Sequence, residues 1–364
     1  MKVLLVIDSL GSGGAQRQIV NLAIGLSRKG TAVELIYYHK NEFYLSKLIE
    51  NNITVHRPTK FIKGFSIQFA TKLRNLIKQN FDSVISFLFT PSIYTSISRF
   101  GIRNCKHIVC ERSSSKSNNR SFIQLNLFYI SMLFSNKVVT NSYSETENIK
   151  KLFNLSNKTY TIWNGYETNI NKINFKTKTY KTLLVIGRIT YEKNGINLMR
   201  ALSLFLDRNG WCPKIKWAGR RDHNINLVKI SDEMDKYLLD NKLINKYWNW
   251  LGEVTNIDEL FDQSDALILP SLWEGLPNVI CESMLKGCNV LASNVCDNPK
   301  LLKNGEHGLL FDPYSPLDIC LAIENYYKLS DNHKLIMAKK AFSYAQNKLS
   351  INKMVESYNE LIKS

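Results

Sequence analysis

Residues 267–292 read LILPSLWEGLPNVICESMLKGCNVLA. The stretch opens on an apolar run, 267–269, short enough for a buried strand. Pro270 and Ser271 end the run, and Trp273, Glu274 and Gly275 follow as a loop. Pro277 stands where a helix begins, since the N–H that proline lacks has no partner in a first helical turn. The spacing predicts a helix from about 277 to 286, stopped at Gly287, and a second strand over 289–292. Strand, loop, helix and strand form a unit of a parallel sheet. In open sheets of this kind ligands bind beyond the carboxyl ends of the strands, where this loop lies.

The chemistry of the loop follows from that placement. Glu274 precedes the helix and Glu282 falls one to two turns inside it, with seven residues between them. The backbone from Gly275 through Leu276 and Pro277 to Asn278 lacks intrahelical partners and carries the positive end of the helix dipole. Such an end suits a phosphate. A carboxylate on the same face accepts hydrogen bonds from ribose or sugar hydroxyls. The alternative is a surface loop with two solvated glutamates, and the Gly-Leu-Pro between strand and helix favours the binding site.

The run E-G-L-P-N-V-I-C-E-S-M-L-K-G-C-N-V-L-A-S resembles the nucleotide-sugar signature of the retaining glycosyltransferases of family 4. That signature has the same paired glutamates, the Gly-Leu-Pro and the trailing helix, glycine and strand. The resemblance implies an α/β protein of GT-B architecture: two Rossmann-like, doubly wound parallel-sheet domains facing each other across a cleft.

The start of the chain fits this. Residues 2–8 read as a buried strand, 9–14 (SLGSGG) as a turn, 15–29 as a helix stopped at Gly30, and 33–38 as a second strand. A dinucleotide fingerprint would need a third glycine where Gln16 stands, so the glycines say little about NAD. The resemblance instead implies that the backbone at Gly13 and Gly14 approaches donor phosphates and acceptor; a tight turn without a ligand is the alternative. Segment 60–79, KFIKGFSIQFATKLRNLIKQ, is basic and amphipathic, with Phe65, Phe69, Leu73 and Leu76 or Ile77 near helical spacing beside Lys63, Lys72, Arg74 and Lys78. It reads either as a helix on an anionic membrane or as one packed on the sheet with a solvated basic face.

Further strands are expected at 83–89, ending at Thr90 and Pro91, and at 107–111 (HIVCE). Glu111 and Arg112, with Ser113 and Ser114 after them, partly resemble the family's Ser-Glu-Arg-Asn segment. They become candidates for the acceptor side, against a structural role in salt bridges. A helical stretch at 121–134, a strand at 138–142 and a helix capped by Ser144 with Glu147 at its third position follow. TIWNG at 161–165 resembles the family's crossover. From 167 to 181 the chain is polar and Lys-rich without apolar periodicity, which reads as a linker.

In the second half, 182–186 reads as a strand followed by Gly187-Arg188-Ile189-Thr190-Tyr191-Glu192-Lys193-Asn194 and a helix at 195–207. Two cations at a strand end bracket a diphosphate and neutralise charge on a leaving group. The segment matches the family's Gly-Arg…Lys-Asn motif, which implies donor contacts by Arg188, Lys193 and Asn194; basic surface residues are the alternative. Residues 304–310, NGEHGLL, resemble a structural turn of the same family.

Composition sets the limits. The chain has 364 residues, natural for two α/β domains. Lys and Arg number 48 against 31 Asp and Glu, for a net charge of +17, which points to a polyanionic partner such as a nucleotide diphosphate, a lipid surface or nucleic acid. Seven cysteines include no metal-binding pair, and a reduced, cytosolic setting is expected. The apolar core of MKVLLVIDSL is too short for a signal peptide, and there is no run of about 18 apolar residues. There is no Asp-x-Asp motif.

The expected organisation is an acceptor-binding domain over 1–165, joined by the returning helix 347–364, a linker at 166–181, and a nucleotide-sugar domain over 182–346. The resemblance implies a retaining transferase without a metal or other cofactor, moving a hexose or N-acetylhexosamine from a UDP-type donor. Glu274 would contact the transferred sugar and Glu282 would hold the ribose. The implied acceptor is a polyprenyl-diphosphate-linked oligosaccharide of bacterial capsule or O-antigen synthesis, at the inner face of the cytoplasmic membrane. Two other readings are a nucleotide-sugar epimerase of the same architecture and a non-enzymatic membrane- or nucleic-acid-binding protein. The latter would interleave aromatics and cations on one surface, whereas here the informative cations sit at strand ends.

Overall fold

A computed structural model describes residues 1–57, 66–112, 121–167, 175, 179–221, 225–254 and 256–364. The chain forms two compact units, Met1–Glu167 with Leu349–Ser364, and Thr168–Lys348. Each is built on one parallel sheet.

The first sheet contains β1 (Lys2–Val6), β2 (Ala32–Ile36), β3 (Thr54–His56), β4 (Ser83–Phe87), β5 (Lys106–Glu111), β6 (Lys137–Thr140) and β7 (Thr159–Thr161), in the order β3-β2-β1-β4-β5-β6-β7. The second contains β8 (Thr182–Ile186), β9 (Lys214–Ala218), β10 (Trp248–Gly252), β11 (Ala266–Leu269), β12 (Asn289–Ser293) and β13 (Leu309–Phe311), in the order β10-β9-β8-β11-β12-β13. Parallel sheets covered on both faces select continuous apolar runs rather than alternation. Accordingly Leu4, Leu5, Val6, Leu183, Leu184, Leu267, Ile268 and Leu291 are all fully buried. Each such side chain contributes about 1.5–3 kcal/mol relative to exposure.

Strand order turns back at β1/β4 in the first sheet and at β8/β11 in the second. Successive connections there leave to opposite sides, which opens a crevice at the carboxyl ends. In the first unit the loop after β1 leads to the helix Gly14–Arg28, whose N-cap is Gly13. Asp8 Oδ1 closes that loop by accepting from Ser9 N at 2.6 Å and Gln16 Nε2 at 3.0 Å. The final helix, Ile351–Lys363, packs in the same core through Met354, Val355 and Tyr358. A Cβ on Gly25 of the first helix would lie 2.3 Å from Val355 Cγ2, so the crossing relies on that glycine.

Several expectations are corrected. The helix after β6 is Tyr143–Phe153, capped by Ser142, whose Oγ accepts from Glu145 N at 3.2 Å. Ser142 and Ser144 each have a glutamate three residues on, and β6 ends early enough that the first of them takes the cap. Thr90 and Pro91 do not end a strand but stand in the first turn of the helix Phe89–Arg99. In segment 60–79 the described helix is Ile67–Ile77, and Phe69, Leu73, Leu76 and Ile77 are buried. Phe69 lies 4.8 Å from the Tyr38 ring and 4.9 Å from Tyr94. Lys72 donates to the Arg57 carbonyl, and Arg74 to those of Ser98 and Phe100. Of the two readings of this segment, the described residues follow the one packed on the sheet. Lys63 and Phe65 lie outside the described residues, as do Ser113, Ser114 and most of the linker.

One close approach sets the loop after β8. A Cβ on Gly219 would meet the Gly187 carbonyl oxygen at 1.9 Å, and the same oxygen accepts from Trp217 Nε1 at 2.8 Å. Gly187 N in turn donates to Ala218 O at 2.9 Å. Only a residue without a side chain lets these two strand ends close together. Gly219→Ala is expected to destabilise the protein by roughly 1–3 kcal/mol through overpacking, read as a lowered thermal midpoint; an unchanged midpoint would refute the constraint.

Candidate active site

The loops after β8 and β11 meet at the switch point of the second sheet. The β8 loop contains the single 3-10 turn Tyr191–Lys193 and ends at Asn194, whose φ of 56° is left-handed. Asparagine tolerates that region better than most residues. Its amide Nδ2 donates to Pro270 O at 3.0 Å and Pro313 O at 2.7 Å. The side chain therefore ties the start of the helix Gly195–Asn209 to the end of β11 and to the loop after β13. Leu272 N donates to Glu192 O at 2.8 Å, a second tie between the loops. Tyr191 and Trp273 add ring contact at 5.9 Å.

These ties bring Lys193 and Glu274 together. Lys193 Nζ lies 2.5 Å from Glu274 Oε1, and the two side chains retain 16% and 14% of their exposure. The pair is mostly desolvated but reachable, so each charge neutralises the other while remaining open to exchange with a charged ligand. Glu274 N donates to Cys296 Sγ at 3.4 Å. Arg188 is exposed one residue beyond Gly187.

The helix that follows is Asn278–Leu285, with Pro277 as N-cap rather than first helical residue. Ile280, Cys281, Ser283, Met284 and Leu285 are buried and anchor it on the sheet. Its N-terminal turn, reached through Gly275 and Leu276, brings the positive dipole end to the same loop cluster. Glu282 is half-buried. In the loops, Thr190 Oγ1, Ser271 Oγ and Trp273 Nε1 are buried without a hydrogen-bond partner among the described residues. Each such atom costs about 1–3 kcal/mol, so stability alone did not shape these loops.

The remaining candidates belong to the first unit. Gly13 lies at the helix start described above. Glu111 is buried at the end of β5 and accepts from Arg112 N at 2.9 Å. Arg112 donates through Nη1 to Asn164 Oδ1 at 2.9 Å and through Nη2 to the Tyr358 hydroxyl, and it stacks 4.4 Å from the Phe87 ring centroid. Its head group thus braces the crossover and the returning helix. Asn194 likewise serves a bracing role that its motif did not announce. Cys296, Gly219 and Trp217 were missed: their contribution lies in contacts across the sheet that no local pattern signals.

Burial pushes the thiols of Cys105, Cys110 and Cys320 up to about 11 and that of Cys212 to about 12, which leaves them poor nucleophiles. Among the described residues there is no group of three or more His, Cys, Asp or Glu that could hold a metal ion. No described helix is long and apolar enough to cross a membrane.

Two doubly wound parallel sheets in one chain, with an ion pair and a helix start at the second switch point, define a GT-B protein. The chain belongs to the group 1 and family 4 glycosyltransferases: residues 167–344 match the family described as glycosyl transferases group 1, and residues 12–170 match Glycosyltransferase Family 4. It is a glycosyltransferase, which sets aside the epimerase and non-enzymatic readings. The chain is 25% identical over 310 residues to the capsular polysaccharide biosynthesis glycosyltransferase CapH of Staphylococcus aureus, covering 83% of each chain. It is 25% identical over 333 residues to a Campylobacter jejuni relative, covering 85% of this chain and 84% of the other. That relative is named GalNAc-α-(1→4)-GalNAc-α-(1→3)-diNAcBac-PP-undecaprenol α-1,4-N-acetyl-D-galactosaminyltransferase. Among solved structures, Anabaena HepE in complex with UDP matches with a TM-score of 0.82 at 18% identity, with 100% of both chains covered.

Asn194→Ala would strand two carbonyls and place a Cβ-bearing, non-polar residue at positive φ. The expected loss is about 1–3 kcal/mol, measured by thermal unfolding. Asn194→Gly also lacks the amide but relieves the backbone strain, so it should recover part of the loss. Full recovery would show that the amide does not brace the loops.

Proposed function

We propose that the enzyme transfers a hexose or N-acetylhexosamine from a UDP-sugar to a lipid-linked glycan, with retention at the anomeric carbon. The observation that carries this reading is the Lys193–Glu274 pair at the second switch point, next to a helix start. A diphosphate entering there would draw Lys193 from Glu274. Arg188, Lys193 and the turn at Gly275, Leu276, Pro277 and Asn278 would then share its charge. Fixed cations and dipoles of this kind stabilise the departing diphosphate, and on this reading they do so without a metal. Glu282 accepts from the ribose hydroxyls.

Released from Lys193, Glu274 accepts from a hydroxyl of the transferred sugar and orients the anomeric carbon. The bond from that carbon to the diphosphate oxygen breaks. The acceptor hydroxyl oxygen bonds to it from the same face, and its proton passes to the leaving diphosphate. The lipid-linked acceptor is supported by the name of the Campylobacter relative and the UDP donor by the HepE complex. A polyprenyl-linked acceptor places the reaction at a membrane surface, in surface-polysaccharide assembly.

Two measurements test this. UDP at about a hundred times its dissociation constant adds about 2.7 kcal/mol of stability. It should raise the thermal midpoint of the wild type in the presence of EDTA, ahead of GDP, ADP or dTDP, and do so less for Arg188→Ala and Glu282→Ala. Equal shifts in wild type and both variants would remove this site from donor binding. Glu274→Gln releases Lys193 while preserving shape. UDP affinity is expected to hold or rise while transfer falls about 10²- to 10³-fold; transfer at the wild-type rate would exclude the role given to Glu274.

A further inference from the structure

The helix Phe122–Leu133 is almost wholly apolar, FIQLNLFYISML, yet little of it is covered. Phe128, Ser131 and Met132 form its one buried stripe. Ile123, Leu127, Ile130 and Phe134, at helical spacing i, i+4, i+7 and i+11, are 70%, 43%, 45% and 64% exposed. Phe122, at the first helical position, is 81% exposed. An aligned row of large apolar side chains facing solvent marks an interaction surface, where scattered ones would not.

The charge around this helix selects the partner. Cations stand at the helix end: Arg99 Nη1 donates to Phe134 O at 3.4 Å, and Lys158 Nζ to Leu133 O at 2.7 Å and Ser135 O at 3.0 Å. A second copy seated on this face in a two-fold contact would bring the same cations against themselves. An anionic lipid surface would neutralise them. With 12 residues the helix is far short of the roughly 20 needed to span a bilayer.

We propose that the helix Phe122–Leu133 lies flat in the surface of an anionic phospholipid membrane, with Ile123, Leu127, Ile130 and Phe134 at the boundary of headgroups and acyl chains. Arg99 and Lys158, at the helix end, then stand at the level of the lipid phosphates. This role differs from donor chemistry and does not depend on it. It offers a membrane contact other than segment 60–79, whose described apolar residues are committed to the core.

The test is co-sedimentation of the full-length protein with vesicles of phosphatidylcholine alone or mixed with phosphatidylglycerol, without nucleotide or acceptor. The wild type should partition about tenfold or more in favour of the mixed vesicles and lose this preference at high salt. Ile123→Ser combined with Ile130→Ser should lower that partition at least about tenfold, with the thermal midpoint unchanged. Phe122→Ser, in the exposed first turn, is the fallback should the double variant unfold, and should weaken binding in the same direction. Wild-type partition by a folded variant would overturn the proposal, as would failure of the wild type to bind mixed vesicles. A wild-type dimer in light scattering that the serine variant dissolves would overturn it in favour of a second copy. None of these outcomes touches UDP binding, so the transferase reading stands or falls separately.

Discussion

Parallel pairing of β8 with β11 is the constraint on which the site of the second unit depends. Ala266 and Leu267 lie opposite Leu183 and Leu184, and that register brings the two strands out at one edge. β8 is followed in sequence by β9 on one flank and β11 by β12 on the other, so the two loops leave in different directions and are joined by side chains and stray backbone bonds. Asn194 makes the main join, with Leu272 N to Glu192 O beside it. The left-handed backbone at Asn194 and the crowding of Gly219 against Gly187 are local costs accepted to bring these ends together.

The electrostatics follow from that geometry. An unpaired lysine or glutamate at this depth would be expensive, and each removes the other's cost. On the proposed function the same pairing would make the site responsive: a diphosphate would compete for the lysine, and the glutamate it displaces would accept from hydroxyls, so that binding and orientation of one donor act through a single exchange of partners. The unpartnered hydroxyls of Thr190 and Ser271 fit a site where local rules yield to function.

In the first unit the basic surplus takes two forms. Several cations serve the fold, as Arg112 does in holding Asn164 and Tyr358, and Arg74 in closing on the carbonyls of Ser98 and Phe100. Others, Arg99 and Lys158, stand at the end of a helix that leaves most of its apolar residues exposed. Amphipathic pattern alone does not separate these cases, because a helix facing the core and a helix facing lipid show the same periodicity. In segment 60–79 the helix Ile67–Ile77 faces the core, whereas the helix Phe122–Leu133 leaves most of its apolar residues exposed.

Much was legible in the sequence by itself: strand runs apolar enough for a doubly covered parallel sheet, the glycine stops at Gly30 and Gly287, and the clustering of chemistry at 187–194 and 270–278. These are properties of neighbours along the chain, set by backbone sterics and local burial. Tertiary structure alone decided what depends on distant residues meeting. Lys193 and Glu274 stand 81 positions apart, and their pairing follows from sheet order. The choice of Ser142 over Ser144 as a cap follows from where β6 ends. Which apolar helix is left uncovered depends on which faces the sheet has room to bury, and surface area of that kind is a property of the packed chain.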